Sequence, residues 1–166
     1  MHRPSQRTLS WFAISGMVLV LDQITKLMAL AWLEVLPTPV MPFLSLTLAC
    51  NTGAAFSLLE GQSGLLAVIG ICLAALFAFL IVRLPKDRVL EGTAFSLILA
   101  GAIGNVVDRL IRGCVVDFIH VHHGNWHFPI FNLADSAITI GAALWILALI
   151  REQRADFPAK DGRIGN

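Results

Sequence analysis

Three aspartates define the chemistry open to this sequence. Asp108, Asp117 and Asp135 lie at or beside apolar segments long enough to enter a bilayer. A carboxylate at the centre of a membrane helix costs roughly 2.5–3.5 kcal/mol on insertion scales, so several in a short chain point to use. Paired acids can hydrolyse a bond by general acid–base action on water, and they can also relay protons in a carrier. Three asparagines, Asn51, Asn105 and Asn132, fall one in each polar segment. Their side-chain amides suit the orientation of peptide groups, which favours a peptide substrate without deciding between hydrolase and transporter.

Other polar residues admit a simpler reading beside the functional one. Asp22 and Lys26 are four apart on one helix face, in the acid-before-base order that favours pairing. They read as an ion pair that permits burial, and equally as a wall of a polar pocket. Gly101, Gly104, Asn105, Asp108 and Arg112 recur on one face of a helix. The glycines allow close helix packing. Asp108 with Arg109 or Arg112 reads as a structural salt bridge that positions its neighbours. Asp117 lies between Val116 and Phe118 in a strand-like run, where an ordinary loop aspartate is the competing account. Asp135 falls in a first helical turn with Asn132 placed to cap it, a position that suits an acid for purely structural reasons.

His120, His122, His123 and His127 invite a metal reading. No Cys or Glu completes a ligand set, and histidines beside Trp126 and Phe128 suit a membrane interface. Cys50, Cys72 and Cys114 show no metal spacing and read as small apolar residues rather than a disulfide. Ser57 and Ser136 lack an evident base, and no nucleophile-elbow, zinc-protease or phosphate-loop motif is present.

The elements that must position these groups are mainly helical and membrane-embedded. The chain has 166 residues, 57% hydrophobic and 14% charged, well below the roughly 25% charge of soluble domains. Net charge is +1, so no electrostatic case for nucleic acid arises. One domain over residues 1–166 is expected, with spans near 11–32, 63–84, 89–109 and 133–150. The small-x-small run Ala29-Leu30-Ala31 could end a signal peptide, but Asp22 and Lys26 follow the apolar core and the chain then turns apolar again. The segments 34–62 and 113–132 are broken by prolines or alternate in polarity, as strands do near 43–49 and 114–122.

Lys and Arg cluster at Arg3 and Arg7, at Arg83, Lys86 and Arg88, and at Arg151, Arg154, Lys160 and Arg163. The segment between the first two spans has none. The positive-inside rule therefore predicts both termini, including the tail 151–166, in the cytoplasm. Both strand-like segments then share the outer side, as a small sheet on the membrane surface over a four-helix bundle. Asp108, Asp117 and Asp135 converge on that side.

These motifs together resemble the bacterial lipoprotein signal peptidase (signal peptidase II) family of membrane aspartic peptidases. The matching runs are Asp22-Gln23-x-x-Lys26, Asn51-Thr52-Gly53-Ala54-Ala55-Phe56, and Gly101-Ala102-x-Gly104-Asn105-x-x-Asp108-Arg109. Val116-Asp117-Phe118 and Trp126-x-x-Pro129-x-Phe131-Asn132-x-Ala134-Asp135-Ser136 complete the family's order from first span to last. One departure is Ala100, where the family often has a further glycine. The resemblance implies that Asp117 and Asp135 are the catalytic pair. It implies supporting or substrate-lining roles for Asp22, Lys26, Asn51, Gly53, Gly101, Asn105, Asp108, Arg109, Asn132 and Ala134.

It further implies a prolipoprotein substrate carrying a diacylglyceryl-cysteine, cut just before that cysteine, with membrane lipid around it and no metal or organic cofactor. A monomer in the bacterial inner membrane, inhibited by globomycin-type compounds, is expected. Asp135, at a helix start, is expected to be the more readily ionised partner, with the proton on Asp117.

Overall fold

The computed structural model describes residues 6–53 and 59–156. Arg3, the Ala54-Ala55-Phe56 part of the second motif, Ser57, Lys160 and Arg163 lie outside the described residues. Four long helices and a small antiparallel sheet make up the rest. The helices are α1 (Gln6–Trp32), α2 (Ser63–Arg83), α3 (Val89–Arg112) and α4 (Leu133–Asp156). Each is long and apolar enough to cross a membrane.

Helix α3 is the centre of the bundle. In its most apolar 18-residue window 67% of residues are buried against protein, compared with 22%, 17% and 22% in α1, α2 and α4. Small residues make this possible. A Cβ on Gly101 would lie 2.4 Å from the Ala134 carbonyl oxygen, and one on Gly92 would lie 2.1 Å from the Trp11 ring. The apolar end of the bundle packs Phe77, Phe95 and Trp145 with ring centroids 5.4–5.9 Å apart. Buried α1 residues Trp11, Ser15, Asp22, Lys26 and Ala29 recur at helical spacing and form the stripe this helix turns to the protein. Pro85 ends α2, whose following residue Leu84 is extended. Helix α3 runs to Arg112, three residues beyond the predicted end. It stops at Gly113, which adopts the left-handed conformation (φ 78°) open to glycine.

The sheet order is β1-β2-β3-β4, with β1 (Thr38–Met41), β2 (Leu44–Asn51), β3 (Val115–His123) and β4 (Trp126–His127), antiparallel throughout. The alternating segments near 43–49 and 114–122 form β2 and β3. Strand β1 was not predicted, since Pro39 argues against a strand; it survives as an exposed edge strand, where a missing N–H costs little. The β2–β3 register slips between Leu46 and Ala49, close to Asp117. Past β4 the chain returns along β3. Ile119 N–H donates to Phe131 O at 2.8 Å and Phe131 N–H to Ile119 O at 3.1 Å. This return delivers Asn132 and the start of α4 to the side of Asp117.

The three cysteines correct an expectation. Cys50 and Cys114 are joined in a disulfide, Cα atoms 5.5 Å apart, while Cys72 is free. Antiparallel pairing of β2 with β3 sets Cys50 opposite Val116 and so brings it to Cys114, just before β3.

Candidate active site

The site is built in two layers. Behind it lies a buried ionic cluster. Lys26 Nζ, fully buried, is 2.9 Å from Asp22 Oδ2 and 2.9 Å from Asp108 Oδ2, and donates to Asn105 Oδ1 at 3.1 Å. All three ammonium protons therefore have acceptors. Arg112 adds a second cation, 2.6 Å from Asp108 Oδ1. Two carboxylates and two cations balance, the condition under which buried charge is tolerated. The cluster also binds backbone: Ala134 N–H donates to Asp22 Oδ1 at 2.9 Å and Val116 N–H to Asp108 Oδ2 at 3.1 Å. It thus pins the first turn of α4 and the start of β3 to α1 and α3. Gly104 leaves room for it, since a Cβ there would sit 2.5 Å from Asp22 Oδ2. Asp108 pairs with Lys26 and Arg112, not with Arg109, whose Nη2 donates instead to Gly53 O at 2.8 Å. The reason is geometric: Arg112 is one turn beyond Asp108, whereas Arg109 points a quarter-turn away.

In front lies an amide relay. Asn105 Oδ1 accepts from Lys26, and from Asn132 Nδ2 at 3.3 Å, which fixes its amide with Nδ2 toward Asp135 Oδ1 at 2.7 Å. Asn132 is fixed likewise. Its Oδ1 accepts Asp135 N–H at 2.8 Å, and its Nδ2 donates to Asp117 Oδ1 at 2.7 Å. Asp135 Oδ2 accepts Asn132 N–H at 3.3 Å, completing a reciprocal helix cap. Asp117 Oδ2 accepts from Asn51 Nδ2 at 3.0 Å, and Asn51 Oδ1 accepts Gly53 N–H at 3.0 Å. Both aspartates are therefore held through both oxygens by groups from α3, β2 and the 132 cap.

Asp117 is 1% exposed. Burial, then the negative charge of Asp135, push its carboxyl up to about 7, against the amide bonds from Asn51 and Asn132 and the charge of Lys26. A carboxyl there is part-protonated at neutral pH.

Both aspartates face a cleft of about 1050 Å³, which Asn51, Gly53, Asn105 and Arg109 also line. Its apolar side is Phe128 to Phe131 with Ile138 and Ile140. Asp22, Lys26, Asp108, Asn132, Gly101 and Ala134 stand behind this lining, so the ion-pair reading of Asp22 and Lys26 describes their contacts and the pocket-wall reading does not. Asp22, Lys26, Asn51, Gly53, Asn105, Asp108, Arg109, Asp117, Asn132, Ala134 and Asp135 join one hydrogen-bonded network, and Gly101 packs against it at Ala134. His120 and His127 also line the cleft, and the histidines bond one another and β2 hydroxyls. His120 Nε2 meets His127 Nδ1 at 3.1 Å, His122 Nε2 meets Ser45 Oγ at 2.9 Å, and the three rings pack with centroids 5.1–5.8 Å apart. Two contributors were missed from sequence: the disulfide, and Gln23 as more than a motif letter. Gln23 Nε2 donates to Asp22 Oδ2 at 3.1 Å.

Residues 14–151 match the family model described as signal peptidase (SPase) II. A lipoprotein signal peptidase of Acinetobacter baumannii is 47% identical over 144 residues, 84% of this chain and 82% of the relative. One of Pseudomonas aeruginosa is 44% identical over 154 residues, 89% of this chain and 91% of the relative. A bacterial membrane enzyme solved by the in meso method at 2.3 Å resolution superposes with a TM-score of 0.83 at 33% identity, covering 98% of this chain and 99% of that one.

Proposed function

The chain belongs to the signal peptidase II family, and from that premise we propose that it is an aspartic endopeptidase working through Asp117 and Asp135. It is a multi-pass bacterial membrane peptidase that removes signal peptides from prolipoproteins. The finer reading is that it cuts the bond just before a diacylglyceryl-cysteine. One observation carries the assignment: two aspartates share a cleft and are tied to each other by the Asn105–Asn132 relay, with all four oxygens engaged.

Asp135, ionised, takes a proton from water as the water oxygen attacks the scissile carbonyl carbon. Asp117, protonated, donates to the carbonyl oxygen. The proton held by Asp135 then passes to the amide nitrogen as the C–N bond breaks, leaving a carboxylic acid on the signal peptide, which gives its proton to water, and a free amine on the lipidated cysteine. Asp117 regains its proton as the carbonyl reforms. A carboxyl pushed up to about 7 suits the acid role.

In this reading the acyl chains lie against Phe128–Phe131, Ile138 and Ile140, and the peptide groups meet Arg109 and Asn51; that these residues line the cleft supports it. The sheet is assigned to the outer side with both termini cytoplasmic. The charge distribution supports this, and so does the Cys50–Cys114 disulfide, since such bonds persist in oxidising compartments. Globomycin-type inhibitors are placed in the same cleft, and the protein is taken as a monomer.

The test uses purified protein in detergent and a precursor with or without the diacylglyceryl group, products weighed by mass spectrometry. Release of a fragment beginning at the lipidated cysteine, with the unmodified precursor spared by at least about 100-fold (about 2.7 kcal/mol), is expected. Equal cleavage of both precursors, or cleavage elsewhere, sinks the reading.

A further inference from the structure

Asn51 holds Asp117, yet it is the last residue of β2. Strand β1 pairs only with the other end of β2, so among the described residues the strand pairing of 49–51 is with β3 alone, and the chain just beyond is held by Arg109 at Gly53 O. Ends of two-stranded pairings fray readily. One tie at this end is covalent. Cys50 sits opposite Val116 and Asn51 opposite Val115, while Cys114 is the residue between the α3 cap Gly113 and β3. The disulfide therefore ties the residue next to Asn51 to the junction from which β3 and Asp117 emerge. Its two ends differ in access: Cys114 is buried and Cys50 is exposed.

We propose that the Cys50–Cys114 disulfide is a positioning element that keeps Asn51 against Asp117, and that Cys50 is a thiol-exchange site through which a dithiol reductant slows the peptidase. The proposal rests on the reading of Asp117 as one of the catalytic pair. In the exchange, a reductant thiolate attacks Cys50 Sγ, the S–S bond breaks, and Cys114 leaves as a thiolate that takes a proton. The reductant's second thiol then displaces Cys50 from the mixed disulfide. The reductant ends as a cyclic disulfide and the protein gains two electrons and two protons. A disulfide oxidant reverses every step.

The sign of the effect follows from the hydrogen bond. Asp117 faces Asp135 of α4, Lys26 of α1, Arg109 of α3 and the Asn132 amide, all of which reduction leaves in place, while Asn51 donates to it and so favours its ionised form. A loosened Asn51 lets Asp117 keep its proton to higher pH and hold its orientation less well. Reduction should therefore move the alkaline limb of the rate profile upward, by roughly half to one pH unit, and lower the maximal rate about tenfold.

The experiment uses full-length Cys72→Ala protein, which removes the third thiol. Rates on a diacylglyceryl-modified precursor are taken across pH for oxidised, dithiol-reduced and reoxidised enzyme. Mass shift on alkylation verifies two freed thiols, and circular dichroism follows helix content. The expected result is a slower enzyme with a raised alkaline limb, unchanged helix content and full recovery on reoxidation. The Cys50→Ser/Cys114→Ser double variant should match the reduced enzyme and ignore reductant. In an Asn51→Ala background, reduction should no longer move the limb.

Verified reduction with an unchanged rate and limb overturns the proposal. So does a rate loss with an unmoved limb, or one that tracks lost helix content, because the bond then serves the fold rather than Asn51. Asp117→Asn in the oxidised protein separates the two levels. If that variant is inactive while reduction has no effect, only the present proposal fails; if it stays active, the catalytic assignment itself fails.

Discussion

Replacing Lys26 by methionine is the perturbation whose consequence the structure prescribes most fully. The side chain is fully buried and its ammonium is bonded to Asp22, Asp108 and Asn105. Methionine keeps the volume and removes the charge. Breaking a buried ion pair by deleting one partner costs about 3–5 kcal/mol. Here the loss should lie near the lower end, about 3 kcal/mol, because Asp108 keeps Arg112 at 2.6 Å and Asp22 keeps Ala134 N–H at 2.9 Å. Adding Asp22→Asn to Lys26→Met removes the stranded charge while leaving an oxygen for Ala134 N–H. The double variant should therefore be more stable than Lys26→Met alone, by about 1–2 kcal/mol.

Unfolding by denaturing detergent in mixed micelles, followed by circular dichroism, measures both. Catalysis adds an independent readout. Without Lys26, Asn105 loses one of the two donors that set its amide, and the 2.7 Å bond to Asp135 loosens. Turnover of the folded fraction should fall about tenfold. A Lys26→Met protein within 1 kcal/mol of the parent, or a double variant less stable than the single, would refute the reasoning that charge balance holds this layer together.

Two further outcomes follow from the same geometry. Gly104→Ala places a Cβ 2.5 Å from Asp22 Oδ2. It should displace that carboxylate, release the Ala134 N–H bond and cost about 1–3 kcal/mol in the same unfolding assay, whereas Gly16→Ala, which meets nothing within 4 Å, should not. Asp117 gives a pH dependence with a definite sign. Its carboxyl lies higher in the folded protein, at about 7, than the usual value near 4, so the folded state holds the proton more tightly. Stability from this group is full below pH ~4, declines as pH rises toward about 7 and is lost above it, by at most about 4 kcal/mol; Asp117→Asn should flatten that slope. Turnover should fall above pH 7 for the same reason, as the acid loses its proton.

Much of this was legible in the sequence because the membrane makes polar residues conspicuous. Asp22 and Lys26 one turn apart, and Asn105 and Asp108 in an otherwise apolar helix, have few tenable places except facing one another. The alternation of residues 43–49 and 114–122 exposed two strands, and Asn132 three residues before Asp135 exposed the cap. What stayed hidden depended on pairing across distance. Cys50 follows one alternating segment and Cys114 begins the other, a signal for a disulfide only once antiparallel pairing is assumed. The choice between Arg109 and Arg112 for Asp108, left open by the sequence, turned on helix phase and fell to Arg112. Edge strand β1 was masked by Pro39 within it and Pro37 and Pro42 on either side. The histidines read as a possible ligand set because strand alternation gives a shared face but not the Ser45 and Thr47 hydroxyls that occupy their ring nitrogens.

Asp117 and Asp135 act as one pair, and single-turnover cleavage of a diacylglyceryl-modified precursor by Asp117→Asn and Asp135→Asn proteins tests that most directly. Each variant keeps the size and shape of the side chain but exchanges one accepting oxygen for an NH2 group that meets a donor, so precursor binding and helix content are measured beside the rate, and both should be retained. Each should cleave at least about 1,000-fold more slowly (about 4 kcal/mol), with the double variant little worse than either single one. Cleavage by either folded variant within about tenfold of the parent rate would contradict the assignment.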